Sequence, residues 1–179
     1  MIRVAQVTGD TTVVPSIEEA RRVAAEVTDP EMPMLTLADL GVLRGVQLEG
    51  AVLTVTITPT YSGCPAMATM RDDLVHRLRD HGFEDVRVEV SLDPAWSSDW
   101  ITDRGREALR DHGISAPGPA PRHHDGLIAI NLLPTQRALT CPHCGSGQVQ
   151  LASEFGATAC KAMYRCETCL EPFDHVKEI

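Results

Sequence analysis

Apolar and polar residues follow strand-like patterns in the middle of the chain. "RGVQLEGAVLTVTITPT", residues 44–60, alternates on both sides of Glu49-Gly50, which predicts a β-hairpin that turns at this pair. "EDVRVEVSL" alternates in the same way and predicts a third strand, with Val86, Val88 and Val90 on one face.

A first helix is predicted to begin after Ser16. Ser16 and Glu19 have the spacing of a capping box, and apolar residues then recur at helical spacing as far as Val27. Pro30 disfavours helix in the residue before it, so we expect this helix to stop near Asp29. "DPEMPMLTLADLGVL" follows with two prolines and no clear period, which indicates an irregular loop.

Two more helices are predicted, one on each side of the third strand. Apolar residues recur at helical spacing from Pro65 to His81, and Gly82 can end this helix. "TDRGREALRDHG" offers Thr102 as N-cap and Gly113 as the residue after the helix. The order α-β-β-α-β with a further helix predicts a small α/β (α+β) domain with a mixed sheet.

Composition and charge exclude several classes of protein. Charged residues make up 23% and hydrophobic residues 43% of the 179 residues, which is typical of a globular protein. The formal charge of −9 argues against nucleic-acid partners, and no apolar run approaches the ~20 residues of a membrane span. "MIRVAQVTGD" lacks the apolar core of a signal peptide, so we expect a cytoplasmic protein.

Prolines and glycines divide the chain into four predicted parts. Residues 1–15 are expected to be a flexible leader, and residues 16–115 the α/β domain. "SAPGPAPRHHDG" marks a Pro/Gly-rich linker, placed at 116–137. Residues 138–179 then form a separate unit around four cysteines.

The C-terminal unit has the cysteine spacing of a zinc ribbon. Cys141 and Cys144 form one C-x2-C pair, and Cys166 and Cys169 form a second pair 21 residues later. Two such turns supply the four thiolates of a tetrahedral site, and metal binding stabilises a unit too small to fold alone. Because four protein ligands leave no open position, we expect this site to support folding or docking rather than chemistry.

Other interpretations of these cysteines remain open. Four thiolates also hold an iron–sulfur or rubredoxin-like iron centre, whereas a pair of disulfides does not suit a reducing compartment. Cys160, His143 and His175 are near enough in sequence to serve as ligands, but we expect them to be bystanders.

Cys64 stands apart from the ribbon, in "TPTYSGCPAMATM". If Pro65 is the first helical residue, Cys64 is the N-cap, where unpaired N–H groups and the helix dipole favour a thiolate and lower its pKa. Such a thiolate can attack an electrophile, bind a soft metal or hold an iron–sulfur species. The alternative is a small buried residue that serves only packing.

Asp29 and Glu31 form the one acidic motif that we consider as a candidate functional site. Two carboxylates at i and i+2 can hold a metal or act as acid and base, but their spacing alone favours a solvated loop in which Asp29 caps a turn. The sequence contains no Ser/His/Asp signature, no Gly-rich phosphate loop and no H-E-x-x-H.

Several stretches together resemble a known family. "DPEMPMLTLADLGVL", "TPTYSGCPA" and "VSLDPAWSSDWITDRGREAL" resemble the domain of SufT-like metal–sulfur cluster assembly factors. With "TCPHCGS" and "ACKAMYRCETCLEPFDHVK", residues 16–179 resemble the PaaD subunits of phenylacetyl-CoA epoxidase systems.

The resemblance implies a role that the residue patterns alone do not. It implies a non-catalytic maturation factor in aerobic phenylacetate catabolism, which assists iron–sulfur or iron centre assembly in the reductase or oxygenase subunit. It places the reactive thiol at Cys64 and the family's acidic motif at Asp29 and Glu31. The implied cofactors are structural zinc and a transient iron–sulfur cluster, and the implied partners are those subunits and the iron–sulfur assembly machinery.

Two other functions are weighed against this one. The chain can be an electron-transfer component if the four ribbon cysteines hold redox iron. It can also be a thiol enzyme acting through Cys64, but His76 and His81 lie along the following helix and point away from its start.

Overall fold

A computed structural model describes residues 15–121 and 139–179 of the chain. The predicted leader lies almost wholly outside the described residues, as does most of the predicted linker. Residues 15–121 are called the body below, and residues 139–179 are called the ribbon.

The N-terminal part of the body is a helix followed by a small hairpin. Helix α1 spans Ile17–Ala25, and the Ser16 hydroxyl accepts the Glu19 N–H at 3.2 Å, which confirms the predicted cap. Strands β1 (Thr28–Asp29) and β2 (Met32–Thr36) then pair antiparallel. The irregular loop predicted here was wrong, because the two prolines interrupt the alternation that identifies strands. A short two-stranded hairpin accepts proline at positions whose N–H makes no hydrogen bond between the strands.

The central sheet has the predicted mixed topology. Strands β3 (Leu43–Glu49) and β4 (Val52–Ile57) form an antiparallel hairpin, and β4 pairs in parallel with β5 (Asp85–Val90). Gly50 adopts φ +61° at the turn, a conformation that glycine enters without strain. The parallel pair requires a crossover, which helix α2 provides.

Helix α2 spans Met67–Asp80 and so begins two residues later than predicted. The Cys64 N–H donates to the carbonyl of Tyr61 at 3.2 Å, which closes a turn before the helix starts. Ala66, not Cys64, is the N-cap residue. The predicted N-cap position of Cys64 was therefore wrong.

Helix α3 spans Asp103–Asp111 and completes the body as predicted. The Thr102 hydroxyl accepts the Gly105 N–H at 3.0 Å, and Gly113 takes φ +73° after the helix. Among the described residues, no helix is long and apolar enough to cross a membrane. The main core lies between the helices and the sheet; its fully buried large side chains are Leu35, Leu37, Leu40, Leu53, Ile57, Met70, Leu74, Leu78 and Leu109.

The ribbon is a three-stranded antiparallel sheet. Strands β6 (Val149–Ser153) and β8 (Pro172–Val176) flank β7 (Lys161–Cys166). Its own small core includes Tyr164 stacked on Phe173, with ring centroids 5.9 Å apart.

The ribbon packs directly on the body. Ser115 donates its N–H to the carbonyl of Asp174 at 2.8 Å and accepts the N–H of Val176 at 3.0 Å. The N–H of Ser98 donates to the carbonyl of Ile179 at 2.9 Å, and Val176 belongs to the main core. The last residue of the predicted α/β domain, Ser115, therefore lies against β8.

Candidate metal and thiol sites

The four ribbon cysteines converge on one point. Their sulfur atoms all lie within 4.8 Å of one another, with Cys141 3.7 Å from Cys169 and Cys144 3.6 Å from Cys166. In the described parts of the chain, this is the one group of three or more side chains placed to hold a metal ion.

The sulfur separations fit a tetrahedral ion with four thiolates. A Zn–S bond of about 2.3 Å requires sulfur atoms about 3.8 Å apart in a tetrahedron. Backbone N–H groups of Thr168 and Cys169 point at the Cys166 sulfur, at 3.4 and 3.5 Å. The Cys169 N–H is the main reason that the pKa of Cys166 falls to about 6. Four neighbouring thiolates repel one another, so a bound cation is what allows all four to ionise together.

The other candidate ribbon ligands lie outside this cluster. The ring of His175 is fully buried, and its nitrogens contact the hydroxyl of Ser115 at 3.1 Å and the carboxylate of Glu178 at 3.2 Å. The ring of His143 packs over Gly113 of the body. Among the described residues, the metal-ligand group includes neither of these histidines and does not include Cys160.

Cys64 lies in the loop between β4 and α2, half-buried against the main core. The backbone N–H groups of Ala66 and Met67, at the start of α2, act on its sulfur and favour the thiolate. The Cys64 thiol is therefore influenced by the N-terminus of α2, although Cys64 itself precedes the helix and its N-cap residue.

The predicted lowering of the Cys64 pKa was wrong. Burial raises the pKa of this thiol, and the negative charges of Asp29 and Cys160 raise it further. The two N–H donors oppose this effect but do not overcome it. The prediction failed because the local sequence indicates only that a helix begins near Cys64. The burial of the thiol and the nearby charge of Asp29, which raise its pKa, depend on the tertiary fold.

Asp29 and Glu31 lie at the turn between β1 and β2. Asp29 is only 4% exposed, and its Oδ1 accepts the N–H groups of Glu31 at 2.6 Å and Met32 at 3.1 Å. Burial raises the pKa of Asp29 despite these bonds. Asp29 thus caps a turn and also acts electrostatically on Cys64, whereas the side chain of Glu31 is exposed to solvent.

The ribbon contributes to the surroundings of Cys64. The backbone N–H of Ala159 and the charges of Cys64 and Cys160 all act on the hydroxyl of Tyr61. Lys161 is 6% exposed, lies 3.1 Å from Asp174 and acts electrostatically on Asp29. The thiol therefore lies where the body and the ribbon meet.

Comparison with known proteins identifies both halves of the chain. Residues 17–91 match the family model described as "Iron-sulfur cluster assembly protein", and residues 129–177 match the "PaaD zinc beta ribbon domain". The chain is 43% identical over 163 residues to the protein of Escherichia coli strain K12 that is named as the putative D component of 1,2-phenylacetyl-CoA epoxidase, covering 91% of this chain and 93% of that protein. This chain belongs to the PaaD family.

Solved structures similar to the chain cover about half of it. A domain of unknown function DUF59 from Bacillus anthracis is 23% identical, with a TM-score of 0.49, over 52% of this chain and 90% of that one. A conserved hypothetical protein from Thermotoga maritima is 24% identical, with a TM-score of 0.46, over 53% and 94%.

Membership of the PaaD family confirms the resemblance read from the sequence. The four predicted ribbon cysteines lie together, and the charge of Asp29 acts on Cys64. The sequence did not predict the electrostatic interactions of Cys64 with Tyr61 and Cys160. The stretch "ACKA" in the ribbon was the available signal for Cys160, because neither zinc ligation nor strand alternation requires a cysteine there.

Proposed function

We propose that this chain is a non-catalytic maturation factor of a phenylacetyl-CoA epoxidase system, which delivers iron or an iron–sulfur cluster to the reductase or oxygenase subunit. The match to the epoxidase component of Escherichia coli and to an iron–sulfur assembly family supports this role. The described structure has six free cysteines, which is typical of a reducing compartment, so we place the protein in the cytoplasm.

The observation that carries the proposal is the environment of Cys64. Cys64 is half-buried, and the backbone N–H groups at the start of α2 and the charge of the buried Asp29 both act on its sulfur. Because its pKa is raised, the free thiol keeps its proton at neutral pH, and a soft metal must displace that proton to bind. This favours a ligand for metal cargo over a permanently activated nucleophile.

We propose zinc as the resident ion of the ribbon, held by Cys141, Cys144, Cys166 and Cys169. Zinc neutralises the charge of the thiolates and cross-links the two C-x2-C pairs. The ribbon sheet packs on the body through Ser115 and Val176, so this cross-link also holds the ribbon surface beside Cys64. The ribbon face then serves to dock the client protein.

The test is maturation of the epoxidase in cells that carry Cys64→Ala. We expect the variant to fold and to keep its zinc, but to leave the reductase short of iron and sulfide and the epoxidase inactive. Ser62→Ala is the matched control, since Ser62 is exposed in the same loop. Full iron, sulfide and epoxidase activity with Cys64→Ala would contradict the proposal.

Electron transfer is the second candidate, because the same four-thiolate geometry also accepts iron. An iron-loaded ribbon absorbs visible light, whereas zinc held by four thiolates is colourless. Metal analysis and absorption of protein purified without oxygen decide between them. A colourless, zinc-loaded protein that fully supports epoxidase activity excludes the electron-transfer role.

A further inference from the structure

Strand β5 leaves one edge of the central sheet open. It lies at the end of the strand order β3-β4-β5, and within the described residues no strand pairs with its outer side. The Ser91 N–H donates to the carbonyl of Ile57 in β4 at 2.9 Å, and backbone groups alternate in direction along a strand. The N–H and C=O groups of Val86, Val88 and Val90 therefore point away from β4.

The edge strands β3 and β6 differ from β5, because each carries a bulge. The β3–β4 register shifts between Leu43 and Gly45, and the β6–β7 register shifts between Leu151 and Ser153. Bulges of this kind protect natural sheet edges from pairing with another chain. Strand β5 has no proline, and its register with β4 is regular from Asp85 to Val90.

Apolar surface remains exposed along the same edge. Val90 is 45% exposed and Leu92 is 62% exposed. A groove of about 440 Å³ lies between β5 and α2, and its lining includes Ala68, Val75 and Val88. Another strand at this edge, with a helix of its own on the same face, would cover the exposed side chains and the groove.

We propose that β5 pairs antiparallel with β5 of a second copy of this chain, about a two-fold axis at Val88, so that the two central sheets become one. In this register Val88 lies opposite Val88 and Val86 lies opposite Val90, and the outward backbone groups of both strands bond each other. Arg87 then lies opposite Glu89 of the second copy, at a position where the facing side chains are closest. The symmetry forms this charge pair twice.

The charges favour this register over its neighbours. Only shifts by two residues keep the outward backbone groups of the two strands facing each other. One such shift places Arg87 opposite Arg87 and the other places Glu89 opposite Glu89, and like charges directly opposite are destabilising. Arg87 lies 3.4 Å from Asp85 of its own strand, but both side chains are exposed, so this pair is weak and does not hold Arg87 back.

The pairing closes at a dimer. A two-fold axis uses the β5 edge of both copies, and the bulged edges of β3 and β6 do not extend the sheet further. This inference goes beyond the proposed function and does not rest on it, because neither Cys64 nor the four ribbon cysteines belong to β5.

Sedimentation of the zinc-loaded full chain at several concentrations tests the dimer. Arg87→Glu and Glu89→Arg each place like charges opposite each other, so each is expected to weaken dimerisation about tenfold. The variant with both substitutions restores opposite charges and should dimerise as the wild type does. Arg21→Glu is the control for net charge, since it lies on α1, which packs against β3, and it should leave dimerisation unchanged.

Val88→Pro tests the strand edge itself. The N–H that proline lacks points away from β4, and edge strands accept proline at such positions, so we expect a folded, zinc-loaded monomer. A folded Val88→Pro variant that still dimerises would overturn the inference. So would a double charge variant that dimerises no better than the single variants, or a monomeric wild-type chain, in which this edge is left to another protein.

Hydrogen exchange of the wild-type chain does not depend on the folding of a variant. In concentrated protein the N–H groups of Val86, Val88 and Val90 should exchange slowly, and dilution should make them fast. The N–H groups of Arg87 and Glu89 point towards β4 and should be slow at both concentrations. Rates at the three valines that do not change while the dimer dissociates would place the interface elsewhere and refute the pairing through β5.

Discussion

The hydroxyl of Ser115 in the body lies 3.1 Å from Nδ1 of His175 in the ribbon, whose ring is fully buried. The two residues also form a parallel bridge through their backbones. Because Glu178 contacts the other ring nitrogen at 3.2 Å, the imidazole is held on both sides at the boundary between the two units. Folding of the ribbon is thereby linked to folding of the body.

Ser115→Ala is expected to destabilise the whole chain, not the ribbon alone. It removes a hydrogen bond to a buried ring nitrogen, which costs about 1 kcal/mol and lowers the melting temperature by about 2–4 °C. Calorimetry of the zinc-loaded protein measures this change, with exposed Ser62→Ala as the control. Two separate transitions, with only the ribbon shifted, would contradict the linkage.

Gly41→Ala is expected to be one of the most damaging single substitutions in the body. Gly41 has φ +69°, and a Cβ there would lie 2.5 Å from the Cβ of Trp100 and 2.9 Å from its carbonyl oxygen. Left-handed strain and overpacking together cost about 3 kcal/mol. Denaturant unfolding measures the loss.

Gly50→Ala is the matched control for the strain at Gly41. It has a similar φ of +61°, but no atom lies within 4 Å of its added Cβ. It should therefore cost only about 1 kcal/mol, from backbone strain. Equal losses at the two glycines would show that the contact with Trp100 is not what constrains Gly41.

Much of the fold was predictable because its signals are local. The β3–β4 hairpin follows from alternation around Gly50, and α3 follows from Thr102 and Gly113 at its ends. The β1–β2 hairpin was missed because Pro30 and Pro33 interrupt the alternation that identifies strands. The start of α2 was misplaced because the turn from Tyr61 to Cys64 uses residues that also suit a helix cap.

The candidate site was predictable only where its residues are neighbours in sequence. The four zinc-ribbon cysteines lie in two short motifs, so their spacing predicts their convergence. Cys64 and Cys160 lie in different units, so the electrostatic effect of Cys160 on Cys64 arises only from the packing of the ribbon on the body. The raised pKa of Cys64 has the same origin, since burial and Asp29 are supplied by distant parts of the chain.

Zinc content distinguishes the ribbon ligands from Cys160. Cys166→Ser removes a fully buried sulfur from the four-thiolate group and should lose most of the zinc, together with stability of the ribbon. Cys160→Ser should keep about one zinc per chain, because that sulfur lies outside the group. Metal analysis of both purified proteins measures this directly. Zinc loss from Cys160→Ser with full retention in Cys166→Ser would reverse the assignment.

Asp29→Asn is expected to make Cys64 more reactive at a given pH. The side-chain oxygen of Asn can still accept the N–H groups of Glu31 and Met32, so the turn is kept while the negative charge near the thiol is lost. Removing that charge lowers the pKa of Cys64 towards its ordinary value, and the thiolate fraction below the pKa then rises.

The alkylation rate of Cys64, mapped by peptide mass in the zinc-loaded protein, measures this change. At pH 8 the rate should rise about threefold in Asp29→Asn, and the difference should vanish at a pH above both pKa values, where the thiol is fully ionised in either protein. Asp80→Asn, at the far end of α2, is the control and should leave the rate unchanged. A rate that falls in Asp29→Asn would mean that the carboxylate assists removal of the thiol proton instead of opposing its charge.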